Sequence, residues 1–116
     1  MGKLTSGTIF IDLDGTLVVH NYTPNIIEDE LLPGSVAKLK EWQKNNCIVL
    51  TTARSYQNTK RFLDSLSETH NFKFNFIICD LPTGKRILIN DMRENGVLKA
   101  DSFNLVRDKG ISECLL

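Results

Sequence analysis

Short apolar runs, separated by stretches with helical spacing, specify an α/β domain built on a central parallel sheet. The runs are residues 8–12, 47–50, 74–79 and 87–89. None alternates apolar with polar residues, which is the pattern of strands covered on both faces. The chain has 116 residues, 41% of them hydrophobic. That is enough for one core, so a single domain over residues 1–116 is expected.

Each element has a local reason. Thr8-Ile9-Phe10-Ile11-Asp12 is β-branched and aromatic and ends in a carboxylate. Gly15 and Thr16 break it, and residues 17–22 read as a small hairpin or flap. Pro33-Gly34-Ser35 opens a helix over residues 36–45, with Val36, Leu39 and Trp42 on its apolar face. Cys47-Ile48-Val49-Leu50 is a second strand, running into Thr51-Thr52-Ala53-Arg54. A second helix over residues 56–69 turns Phe62, Leu63 and Leu66 to the core. Residues 74–79 form a third strand, 87–89 a fourth ending at Asn90-Asp91, and 102–106 a short fifth. Helices between parallel strands imply right-handed crossovers.

Composition removes several function classes. Lys and Arg number 14, balancing 14 Asp and Glu, so the electrostatic footprint of a general nucleic-acid binder is missing. No apolar run approaches the roughly 20 residues that span a bilayer. Cys47, Cys79 and Cys114 form no CxxC pair for zinc and read as idle thiols of a reducing cytoplasm. Met1 to Ser6 fits the loose lipidation pattern and is read as a plain start. Asn21-Tyr22-Thr23 fits a glycosylation pattern and, with no secretion signal, is expected to stay unused.

In parallel sheets the chemistry sits at the carboxyl ends of the strands. There the sequence places Asp12 and Asp14 after the first strand, and Thr52 and Arg54 after the second. Lys85 and Asp91 flank the fourth. Three crowded carboxylates repel one another unless a cation is bound, and an all-oxygen set suits Mg²⁺. Gly84-Lys85 is not a phosphate loop, because Arg86 stands where Ser or Thr belongs. The chain also lacks a Gly-x-Ser-x-Gly nucleophile elbow.

Ile9-Phe10-Ile11-Asp12-Leu13-Asp14-Gly15-Thr16 resembles the first motif of the haloacid dehalogenase-like hydrolases. Thr52 after residues 47–50 is similar to their second motif, and Ile87-Leu88-Ile89-Asn90-Asp91 to their fourth. The resemblance implies a three-layer Rossmann-like sandwich and a phosphatase. In it Asp12 would be the nucleophile that forms an aspartyl-phosphate, and Asp14 the general acid and base. Asp12, the main-chain carbonyl of Asp14, and Asp91 would hold Mg²⁺. Thr52 would bind a phosphate oxygen, and Lys85 would neutralise charge on the phosphate, a role that Arg86 or Lys73 could take instead. Gly15, Thr16, Thr52, Ala53 and Arg54 would line the substrate. Arg54 reads equally as a substrate contact and as the partner of a carboxylate. Asn95 would support the metal ligand Asp91, and His20 lies in the flap.

An acid at position 14 favours phosphoryl transfer over dehalogenation. Asp14 to Thr52 is 38 residues and Arg54 to Lys85 is 31, so neither gap holds a lid domain. The core is therefore expected to be capless and its site open, covered by a bulky substrate or by a second copy in a homo-oligomer. A small phosphorylated metabolite such as a sugar phosphate is the first expectation. A polynucleotide 3′-phosphatase and a non-catalytic phosphate-binding module are the alternatives.

Overall fold

The computed structural model describes residues 6–21 and 28–114. Most of Met1 to Ser6, the tip of the flap and part of Asn21-Tyr22-Thr23 lie outside them. Strand β1 (Thr8–Asp12) leads through the flap to helix α1 (Ser35–Gln43), then β2 (Cys47–Thr51), α2 (Tyr56–His70) and β3 (Phe76–Ile78). A single 3₁₀ turn follows at Ile111–Glu113. The strands are parallel in the order β1-β2-β3. Asp12 pairs with Thr51, and Thr51 with Ile78. The carboxyl ends of all three strands are therefore level, and the residues that follow them share one edge.

Successive right-handed crossovers in one direction put both helices on the same face of the sheet. One apolar cluster fills that side: Ile9 and Ile11 of β1, Ile48 and Leu50 of β2, Leu39 and Trp42 of α1, and Phe62 and Leu66 of α2. Val36 and Leu63, expected to face inward, pack against its margin. α2 starts where the Ser55 hydroxyl accepts the Asn58 N–H at 3.1 Å, and stops at Asn71 in the left-handed region.

No helix lies on the other face among the described residues; Phe10 and Phe76 there are more than half exposed, and Val49 between them is buried. The described residues thus form a sheet with one helical layer rather than the expected three layers. The expected fourth and fifth strands are not formed. Residues 87–89 and 102–106 are irregular, and Ile87 and Ile89 are 77% and 88% exposed. The reason is geometric. A parallel partner needs a crossover of about a dozen residues or more, usually a helix. Only residues 79–86 separate β3 from Ile87, and they contain Pro82 and Gly84.

The expected flap is present as far as it is described. The Val19 N–H donates to the Glu30 carbonyl and the Leu32 N–H to the Leu17 carbonyl, each at 2.9 Å, so its two arms run side by side. The C-terminal segment then straps this region down. Gly110 has φ +87°, and a Cβ there would meet the Pro33 carbonyl oxygen at 2.8 Å. Only glycine fits that approach. It delivers Ile111 and Cys114 into the core.

Candidate active site

The turn after β1 carries the site. Gly15 adopts φ +85°, the left-handed conformation that lets the chain reverse beside Asp14. Its N–H donates to the Val18 carbonyl at 2.7 Å. Its own carbonyl accepts the Asp108 N–H at 2.9 Å, and the Asp108 carboxylate accepts the His20 N–H at 2.8 Å. Asp108 thus joins the turn after β1 to the first arm of the flap.

Asp12 lies at the strand end with its side chain 40% exposed. Burial pushes its carboxyl above the ordinary aspartate value. Arg86, the Leu13 N–H and the Thr16 hydroxyl act against that rise, and the charge of Asp14 adds to it. Arg86 Nη1 is 3.5 Å from Asp12 Oδ1, and the Thr16 hydroxyl donates to Asp12 Oδ2 at 3.4 Å. Arg86, rather than Lys85, is the cation that stands beside Asp12; Lys85 is exposed.

Asp14 is held differently. Arg54 Nε and Nη2 donate to its two oxygens at 3.0 and 2.5 Å. The same guanidinium donates from Nη1 and Nη2 to both oxygens of Asp29, at 3.1 and 2.8 Å. Arg54 is only 4% exposed, and Asp29 only 9%. Burial pulls the guanidinium down, but its hydrogen bonds to the two carboxylates outweigh this and leave it above its ordinary value. Of the two readings of Arg54, the structure therefore displays the carboxylate partner.

Thr52 is buried, and its hydroxyl accepts the Arg54 N–H at 3.1 Å. The neighbouring Thr51 hydroxyl donates to the Ile11 carbonyl at 3.2 Å and belongs to the strand pairing. An open depression of about 610 Å³ lies beside Asp14, bounded by His20, Asn21, Ala53, Arg54, Ser55 and Asn58.

A profile of the haloacid dehalogenase-like hydrolases matches residues 9–112. The chain belongs to that family. The match starts in β1 and ends in the 3₁₀ turn, so it takes in Asp12, Asp14, Thr52, Arg54 and the C-terminal strap. Searches of curated proteins and of solved structures gave no match.

The magnesium ligands expected of this hydrolase are not brought together. Asp12 and Asp14 share the turn after β1, whereas Asp91 is exposed and pairs with Lys99. Asn95 does not reach Asp91 either; its side chain accepts the Val97 N–H at 3.1 Å and closes a local turn. Among the described residues no group of three or more His, Cys, Asp or Glu side chains is placed to hold a metal ion. As arranged, these carboxylates do not make a magnesium site. The displacement follows from the missing fourth strand, whose end was to carry Asp91 to the shared edge.

Reading the sequence missed two residues of this candidate site. Asp29 and Asp108 lie 25 and 88 positions from the groups they hold. The sequence offered only the acidic run Glu28-Asp29-Glu30 and, 25 positions on, an arginine whose carboxylate partner was not named.

Proposed function

We propose that the protein is a phosphomonoester hydrolase that works through an aspartyl-phosphate on Asp12. The first step forms a bond from an Asp12 oxygen to phosphorus and breaks the bond from phosphorus to the leaving oxygen, which takes a proton from Asp14. In the second step water attacks phosphorus, Asp14 takes its proton, and the bond to Asp12 breaks to release phosphate. The observation that carries this reading is the pairing of a solvent-facing Asp12 with an Asp14 fixed by a buried arginine, at one strand end. The Thr52 hydroxyl and the Thr16 hydroxyl supply hydrogen bonds to phosphate oxygens, and Gly15 and Ala53 allow close approach.

A small phosphorylated metabolite, such as a sugar phosphate, is the proposed substrate. The open depression beside Asp14 supports this, and so does the lack of net charge that a nucleic-acid substrate would favour. The protein is proposed to act in the cytoplasm as a homo-oligomer whose second copy covers the open site. Among the described residues no helix is long and apolar enough to cross a membrane. Mg²⁺ is the cofactor that such hydrolases generally use.

Phosphate release from a panel of esters tests the reading: sugar phosphates, nucleotides, an aryl phosphate and a 3′-phosphorylated oligonucleotide, each with Mg²⁺ and with chelator. Metal-dependent release that disappears in Asp12→Asn supports it, and the best substrate separates metabolite from nucleic-acid roles. The Asp91–Lys99 pair, away from Asp12, favours a second reading: a phosphate-binding module without turnover. No release on any ester, from a folded protein, selects that alternative.

The same assay ranks the two candidate cations. Arg86→Ala is expected to lower kcat by about 10²–10³-fold, the cost of removing one donor from a developing charge. Lys85→Ala is expected to cost less than tenfold. The reverse order would return the phosphate-clamping role to Lys85.

A further inference from the structure

Arg54 is the only charged residue that is buried among the described ones. Each of its five N–H groups has an acceptor within the protein. Nε and one Nη2 hydrogen serve Asp14, the other Nη2 and one Nη1 hydrogen serve Asp29, and the last reaches the Asn58 carbonyl at 3.4 Å. A guanidinium so engaged offers no N–H to a substrate. Its effect on chemistry runs through Asp14.

We infer that Asp29 is a positioning residue: it fixes Arg54, and Arg54 fixes the Asp14 carboxylate. The inference rests on the hydrolase reading above. A planar fork gripped on one side only can swing about its long side chain, and a carboxylate held by it swings too. A second bidentate partner on the other edge removes that freedom. Asp29 is suited to this because it sits in the returning arm of the flap, which pairs with the first arm through Val19–Glu30 and Leu17–Leu32. Asp14 and the flap thereby share one cation. The flap cannot swing away without loosening the group that moves the proton.

The test uses pre-steady-state kinetics on the full-length protein with Mg²⁺ and two substrates. An aryl phosphate leaves without needing a proton, whereas an alkyl phosphate needs one; both need Asp14 to activate the water. In Asp29→Asn the aryl substrate is expected to keep its burst of one equivalent of aryl alcohol. Its steady-state turnover falls about 10–100-fold, the usual cost of losing a supporting partner, and KM falls with it, so that kcat/KM is unchanged. With the alkyl substrate the first turnover slows as well. A purely structural ion pair would lower burst and turnover together, and that result, or an unchanged kcat, overturns the proposal.

Side-chain ¹⁵N NMR of Arg54 gives a readout free of activity. Slow rotation of the guanidinium is expected in the wild-type protein and fast rotation in Asp29→Asn. A guanidinium still locked in the variant overturns the clamp. Wild-type protein that shows neither burst nor turnover sinks the hydrolase reading instead, and the NMR experiment still decides the clamp.

Discussion

Replacing Asp12 with Asn is expected to abolish phosphate release while making the fold slightly more stable. Turnover should fall by more than about 10⁴-fold, the scale on which a lost nucleophile acts. Stability should rise because the native environment disfavours the Asp12 charge. Burial raises its carboxyl, and Arg86 does not fully compensate. The direction in pH follows from linkage. A carboxyl raised in the folded state binds its proton more tightly there than in the unfolded chain. The native state therefore loses stability as pH rises through the raised native value. It carries no such penalty below the ordinary aspartate range near about 4. In chelator, the melting temperature of Asp12→Asn should exceed that of the wild type at pH 7 by about 1–3 °C, a small gain because the side chain is partly screened by solvent. The difference should close as pH falls to about 4. An Asn variant that melts well below the wild type at pH 7 would show that Asp12 supports the fold. Turnover retained in that variant would remove Asp12 as nucleophile.

Arg54→Met is expected to be the most damaging single substitution for stability. It leaves Asp14 and Asp29 facing one another without the cation that both hold. Breaking a buried pair by removing one partner costs about 3–5 kcal/mol. Because Asp14 is 21% exposed, about 3 kcal/mol is the better expectation. That corresponds to a fall of about 10–20 °C in melting temperature. Arg54→Lys should recover less than half of it, since a single ammonium cannot match four carboxylate oxygens as a planar fork does. Chemical denaturation decides the point. A double variant with Asp29→Asn should lose less than the sum of the two single losses, because the second change removes a charge that the first stranded. Additive losses would mean that the three groups do not act as one unit.

What could be read from the sequence divides along a physical line. β1 and β2 were legible because each is a continuous apolar run whose partners lie within the same short unit, and the structure places them at Thr8–Asp12 and Cys47–Thr51. The helices were legible from their spacing, and the first also from Pro33-Gly34-Ser35 at its start, to within one or two residues at each end. Residues 87–89 have the composition of a strand and are not one. Composition reports what a run can do, whereas a strand also needs a neighbour and a connection long enough to reach it. The same division holds in the site. Asp12, Asp14 and Gly15 were visible because they are consecutive and follow a strand. Asp29 and Asp108 were not, since an ion pair or hydrogen bond across tens of residues leaves no local pattern.

The C-terminal strap has a consequence for biosynthesis. The Gly15 carbonyl accepts the Asp108 N–H, and the Asp108 carboxylate accepts the His20 N–H of the flap's first arm, so the turn after β1 is completed by a residue made about ninety positions later. Sheet and helices can assemble as they emerge from the ribosome, because β1, β2 and β3 pair with their successors. The turn after β1 cannot complete itself in this way. Loop closure over so long a span is unfavourable until the rest of the core is in place. A nascent chain therefore pairs its strands before the turn at Gly15 is braced, and a message cut short after Leu105 would lack that brace together with Ile111 and Cys114 of the core.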